Sequence, residues 1–282
     1  MIKLTEKDLH VHTVYCPHRR AADPMEDYLH TAEARGLREI SFTEHAPFCA
    51  PISLTQYKTH PTLKDEQMGE YFDALHKLRE TYRGPVAFNI GLEYDYLEGF
   101  EEEIVKSLER YGPSLEDSLL AIHNLWIKDR FYNLCYPENL PQAIEAAGSA
   151  RRLLELYYAS LIRSMQADLG PYKPRRIAHP TQIKFSRLLY PEFDANLEIM
   201  DEVVKVAKER GYSLEINTSG ATYPSCQEYY GISLLPQILK YQAPVTLGSD
   251  AHQASRVGEG FRHPVILQHL DELHPYWEEP CT

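Results

Sequence analysis

Short apolar runs of strand length recur along the chain at 9–12, 39–43, 86–92, 118–122, 176–178, 213–216 and 245–247. Between them, polar and apolar positions repeat at helical spacing around 66–82, 100–110, 149–167, 193–210 and 233–241. A further helix carries its own boundary signals: Asp23 as N-cap, Pro24 at the first helical position, Glu26 three residues after the cap and Gly36 as the stop. Strand and helix therefore alternate, which predicts right-handed βαβ units and a parallel sheet, either open or closed. The polar residues decide between the two forms. Nearly every run finishes on a side chain with ligand chemistry: His12, then Glu44 and His45, Glu93, His123, His179, Asn217 and Asp250. The C-terminal strand ends of a barrel converge on one mouth, whereas those of an open sheet are strung along an edge. A seven-unit β/α barrel is the predicted fold. No repeat, low-complexity tract or linker divides the chain, so residues 1–282 are expected to form one domain. The stretch 46–64 has no helical period and is expected to be a rim or lid over the mouth. The aromatic-rich connection 124–141 is expected to form another wall.

Two motifs bring in the chemistry. Asp8-Leu9-His10-Val11-His12 sets two imidazoles at i and i+2, on one side of an extended strand, and Ser249-Asp250-Ala251-His252 repeats that spacing with one oxygen and one nitrogen donor. Mixed imidazole and carboxylate donors suit zinc, manganese or iron, and the oxygen content favours hydrolysis over a structural thiolate site. Any one strand histidine is more often a satisfied core residue. Placed jointly at strand ends, they read as a multinuclear metal site. His30, His60, His76, His263, His269 and His274 fall on helix faces or loops and read as solvated.

Composition narrows the partners. At 282 residues and 43% hydrophobic the chain can bury a full core, and its net charge is −12 without a block of lysines or arginines. That balance argues against a nucleic-acid surface and for a small-molecule substrate. Cys16, Cys49, Cys135, Cys226 and Cys281 form no CxxC pair, which argues against a disulfide framework. No signal-like or membrane-length apolar stretch occurs, so a soluble cytoplasmic protein is expected, with its oligomeric state left open.

At this point the residues reach a family. Asp8-Leu9-His10-Val11-His12, Thr43-Glu44-His45, Gly91-Leu92-Glu93, the strand-end His123 and His179, and Ser249-Asp250-Ala251-His252 resemble the polymerase and histidinol phosphatase (PHP) family of metal-dependent phosphoesterases. Cys16-Pro17-His18, Glu44-His45-Ala46-Pro47, Gly91 to Tyr96 and Pro174 to His179 are similar to its histidinol-phosphatase branch. The resemblance runs from about residue 8 to residue 260. It implies a distorted seven-stranded (β/α)7 TIM-like barrel whose C-terminal mouth holds three divalent ions. His10, His12, Glu93 and Asp250 would surround the first. Glu93 would bridge to a second held by His123 and His179, and His18, His45 and His252 would take the third. The implied activity is hydrolysis of a phosphate monoester, L-histidinol phosphate, with Glu93, Asp250 and His45 the groups on which it depends most.

For the substrate phosphate, Arg176 is expected on strand alternation and resemblance together, since a guanidinium grips two phosphoryl oxygens. Asn217 is expected to bond substrate or water, with a turn residue opening Thr218-Ser219-Gly220 as the plain alternative. Asp8 and Glu44 would either orient a ligand or relay a proton. The competing activity is a PHP-type phosphodiesterase or exonuclease, whose expected signature, a basic groove or an attached polymerase domain, is not seen in these residues. A metal-stabilised binding module without turnover would instead show lost ligands.

Overall fold

Each of the seven apolar runs is a strand in the computed structural model, which describes residues 3–16, 23–56, 62–269 and 271–275. In chain order the strands are β1 (Lys7–Val11), β2 (Glu39–His45), β3 (Thr55–Gln56), β4 (Ala87–Asp95), β5 (Asp117–Ala121), β6 (Asn124–Ile127), β7 (Arg130–Asn133), β8 (Arg176–Ile177), β9 (Ser213–Asn217), β10 (Pro244–Gly248) and β11 (His274–Pro275). The helices are α1 (Met25–Ala34), α2 (Asp65–Thr81), α3 (Glu101–Tyr111), α4 (Leu140–Ala147), α5 (Ala150–Gln166), α6 (Glu198–Glu209), α7 (Leu235–Tyr241) and α8 (Pro264–Leu267). Strands β1, β2, β4, β5, β8, β9 and β10 pair in that order, all parallel, and β11 lies against the start of β10. The ring closes at the C-terminal ends. The His12 N–H donates to the Ala251 carbonyl and the Asp250 N–H to the His10 carbonyl, both at 2.9 Å. The result is a distorted TIM-like barrel of seven strands.

Side-chain alternation explains why the strands are buried on both faces yet rich in polar residues. Ile40, Phe42, Ile90, Leu92, Leu214, Ile216, Val245 and Leu247 belong to the large apolar cluster shared with the helices. The alternate positions, among them Asp8, His10, Ser41, Asn89, Asp117, Glu215 and Thr246, face the interior. Inside the ring the apolar filling is a separate trio, Leu119, Ala121 and Ala178. Gly91 has no side chain because a Cβ there would collide with the Asp117 carbonyl, so the close approach of β4 and β5 requires glycine.

Arg176 corrects the sequence reading. Its guanidinium is 1% exposed, donates through Nε (2.8 Å) and Nη2 (2.5 Å) to the two Asp117 oxygens, and donates again to the Leu9 carbonyl at 2.8 Å. Asp117 also accepts from Ser41 Oγ at 2.6 Å. A charge sealed inside a closed barrel must be paired there, so this arginine knits β1, β2, β5 and β8 and is not offered to a substrate phosphate. Arg176→Ala is expected to cost about 3–5 kcal/mol of stability by stranding Asp117. Calorimetry should register that loss with KM unchanged; a raised KM at unchanged Tm would return the residue to the site.

Two local expectations also change. Asp23 does not cap α1; its carboxylate accepts from the Ala254 N–H at 2.9 Å and ties the helix entry to the chain after β10. Gly36 ends that helix as expected, at φ +77°. The two long connections pair with one another, β3 parallel to β7 and β7 antiparallel to β6. Phe131 anchors this small sheet against Trp126 and Phe100, ring centres 4.7 and 5.6 Å away.

Candidate metal centre

Four imidazoles are held by acceptors on one ring nitrogen. Glu215 accepts from His10 Nδ1 at 3.0 Å, Asp95 from His123 Nδ1 at 2.6 Å and the Asp250 carbonyl from His252 Nδ1 at 2.8 Å; Glu44 stands 3.5 Å from His12 Nδ1. A proton fixed on Nδ1 leaves the Nε2 lone pair as the inward-facing atom. His10 Nε2 and His12 Nε2 then lie 3.2 Å apart, and His123 Nε2 and His179 Nε2 3.3 Å apart. Two lone pairs at that separation repel unless positive charge lies between them.

The carboxylates complete two groups. Glu93 Oε2 is 3.5 Å from His10 Nε2 and 3.6 Å from His12 Nε2, while Asp250 Oδ1 is 3.3 Å from His12 Nε2 and 3.9 Å from His10 Nε2. The other Glu93 oxygen, Oε1, is 3.4 Å from His123 Nε2 and 2.8 Å from His179 Nε2. Donors about 2.0–2.1 Å from a tetrahedral ion are themselves about 3.3 Å apart, and these spacings scatter around that value. Glu93 serves both, one oxygen to each. His45 adds its Nδ1 2.9 Å from Glu93 Oε2, and its ring lies 4.5 Å from that of His12, which in turn stacks on His252 at 4.2 Å. The donor set fits divalent cations.

The fields agree with that reading. Burial would push the His10, His12 and His123 pKa values down, but the carboxylates outweigh it. His10 is held well above its ordinary value by Glu215, Glu93 and Asp250; His12, by Asp250 and Glu44, and His123, by Asp95 and Glu93, rise to about 9. Against burial, the surrounding imidazoles hold the Glu93 and Asp250 carboxyls well below the usual carboxylate range. His45 moves down, through burial and the neighbouring His12. The cavity attracts positive charge and holds it as protons where no cation is bound.

Backbone strain marks the same place. His179 and Asp250 adopt positive φ, +25° and +52°, in the left-handed region that non-glycine residues rarely enter. Each costs roughly 1–3 kcal/mol, offset by the surrounding structure to aim a donor inward.

The structure thus gathers His10, His12, His45, Glu93, His123, His179, Asp250 and His252; His18 lies outside the described residues. Asn217 is present but turned to another task. It is fully buried, donates to Glu215 Oε2 at 3.0 Å and accepts from the Ser219 N–H and Oγ, so both ends of the amide are engaged within the barrel. Asp8 is likewise not at the donors. It accepts from Ser249 N (2.9 Å), Ser249 Oγ (2.5 Å) and Gly258 N (2.7 Å), pinning the chain on both sides of His252, and burial lifts its pKa to about 6. Glu44 accepts from the Thr13 N–H and from Thr13 Oγ1 at 2.7 Å.

Glu215 is the functional residue that sequence reasoning missed. Besides His10 it accepts from the His179 N–H at 2.8 Å, so one carboxylate positions a donor in each group. Gly248 makes room for it, since a Cβ there would strike Glu215 Oε1. A carboxylate between Leu214 and Ile216 in an apolar run was the available signal. Glu215→Gln is expected to weaken metal retention by about 10–100-fold, measured by chelator competition; unchanged retention would deny it a positioning role.

The mouth opens into a pocket of about 250 Å³ lined by His45, Glu93, His123, His179, Asp250 and His252 together with Cys135, Tyr136, Gln182, Phe185, Ser219, Tyr223 and Tyr230. The connection after β5 contributes Cys135 and Tyr136 as expected of a wall. None of the described residues of 46–64 lines it.

Comparison with known proteins agrees with this geometry. The PHP domain model matches residues 8–219. Histidinol-phosphatase of Bacillus subtilis is 36% identical over 269 residues, covering 92% of this chain and 97% of that protein. A solved candidate histidinol phosphatase from Listeria monocytogenes superposes with a TM-score of 0.81 at 25% identity, over 90% of this chain and 98% of the other. Histidinol phosphate phosphatase from Lactococcus lactis, solved with zinc, L-histidinol and phosphate, shares the fold at a TM-score of 0.68 and 18% identity, covering 94% and 93%. With the family model spanning most of the barrel and every described donor in place, the chain belongs to the PHP domain family.

Proposed function

We propose that this protein is a metal-dependent phosphomonoesterase that hydrolyses L-histidinol phosphate to L-histidinol and inorganic phosphate. The observation that carries the hydrolytic reading is Glu93, whose two oxygens each face a different pair of imidazoles. The choice of ester rests on the Bacillus relative, similar across nearly the whole of both chains.

In this reading the centre holds three divalent ions, zinc, manganese or iron. The first lies among His10, His12, Glu93 and Asp250, the second among Glu93, His123 and His179, and the third at His18, His45 and His252. Bound there, they lower the pKa of water toward neutrality and offset charge on the phosphoryl oxygens. Glu93 fixes the distance between the two groups that prepare the nucleophile. Glu215, Asp95 and Glu44 hold His10, His123 and His12 in the tautomer that keeps Nε2 available. Tyr136, Phe185, Tyr223 and Tyr230 supply aromatic faces for a leaving group that carries an imidazole and an ammonium. A pocket of about 250 Å³ suits a small monoester better than a polymer. No helix among the described residues is long and apolar enough to cross a membrane.

The test is phosphate release from L-histidinol phosphate, nucleoside monophosphates and a phosphodiester by the metal-loaded protein. The expected kcat/KM preference for L-histidinol phosphate is on the order of a hundredfold. Comparable rates on all the monoesters would remove the assigned substrate, and a diesterase rate in excess would remove the reaction class.

A further inference from the structure

Cys16 is buried, yet it does not join the large apolar core. It is 3% exposed, and it is absent from the apolar cluster that includes Cys226. Its sulfur instead lies with ring nitrogens of His12, His45 and His252, all four donor atoms within 4.8 Å of one another. Local structure brings it there. After β1 the chain passes through His12 and folds back in a tight turn, the Cys16 N–H donating to the Thr13 carbonyl at 3.0 Å. Thr13 is itself gripped by Glu44 through both N–H and Oγ1, so the turn is fixed to β2, the strand that carries His45.

We propose that Cys16 is a thiolate ligand of the ion held by His45 and His252. On binding, the thiol gives its proton to solvent and the sulfur donates an electron pair to the metal, with no change of oxidation state. One of the ions would then sit in a sulfur–nitrogen shell while the groups around Glu93 present only nitrogen and oxygen. Thiolate is a softer donor than carboxylate, so that position would select zinc or iron(II) over manganese or magnesium. The assignment rests on the site being a metal centre, not on which ester is hydrolysed, and it does not depend on where His18 lies.

The wild-type protein loaded with zinc is the first test. X-ray absorption fine structure at the zinc edge is expected to contain a sulfur scatterer at about 2.3 Å beside the nitrogen and oxygen shell. The cobalt(II) form is expected to show a thiolate-to-cobalt charge-transfer band in the near ultraviolet. Cys16→Ser should abolish both signals and weaken zinc retention at least about tenfold against a chelator. Cys135→Ser, in the pocket wall, should preserve both signals. Zinc bound with only nitrogen and oxygen neighbours in the wild type would overturn the thiolate while leaving the centre in place, whatever the variants do. Signals that survive Cys16→Ser would assign the sulfur elsewhere and also overturn it. A protein that retains no metal would overturn the centre and the thiolate together.

Discussion

Glu93→Gln is expected to lower kcat by at least about a thousandfold, the equivalent of several kcal/mol of transition-state stabilisation, and to lower the melting temperature toward that of the metal-free protein. The size follows from its position. Glu93 is 2% exposed and contributes one oxygen to each of two donor groups, so neutralising it weakens both shells and removes the tie that spaces them. Glutamine keeps the volume and one acceptor, yet it must point an NH₂ at imidazole nitrogens on one side. Asp250 Oδ1 faces His10 and His12 and stands 3.5 Å from His252 Nδ1, on the side away from the second pair, while its Oδ2 accepts from Ser219 Oγ at 3.2 Å. Its substitution should therefore empty one group and spare the other. Metal analysis of the Glu93→Gln protein should find both groups depleted. A variant with full metal content and more than a tenth of wild-type kcat would remove the bridging role.

The barrel strands were legible because each combines an apolar face toward the helices with a donor at its end. Seven such runs between helical stretches leave few arrangements in which the donors can meet. The small second sheet was not legible. Its hairpin turns on Lys128 and Asp129, both at positive φ, +47° and +64°, where Asn-Gly is the usual signal. The donors could be placed from sequence, but their supports could not. Glu215 on β9 acts on His10 and Asp95 at the end of β4 on His123 beyond the paired β5, contacts that span 205 and 28 positions and have no periodicity to betray them. Arg176 and Asn217, expected at the substrate, bond within the barrel for a related reason. Alternation tells which face of a strand a side chain takes, but inside a closed barrel that face also contains Asp117 and Glu215, and a buried cation or amide takes the nearest acceptor.

Stripping the protein of metal is expected to make its stability fall as pH rises from 6.5 to 9. In the metal-free state His12 and His123 bind protons with pKa values near 9, raised from 6.5 despite burial by Asp250, Glu44, Asp95 and Glu93. A group whose folded-state pKa lies above its unfolded value stabilises the fold fully below the unfolded value and loses that contribution as pH passes through the folded one. Each such imidazole is worth about 3 kcal/mol at the acid end, although the two face Glu93 together and their effects do not add. The metal-free melting temperature should therefore drop by roughly 5–10 °C across this window. Asp8, with its pKa near 6, loses its own contribution between 3.8 and 6, below the window, and does not mask the effect. Bound cations replace those protons, so the loaded protein should melt higher and gain rather than lose with pH, because fewer protons compete for the nitrogens. Calorimetry of chelated and reloaded protein at several pH values separates the two behaviours. A metal-free protein whose melting temperature is flat or rising over that range would mean that the imidazoles are neutral without metal and that the carboxylates do not govern them.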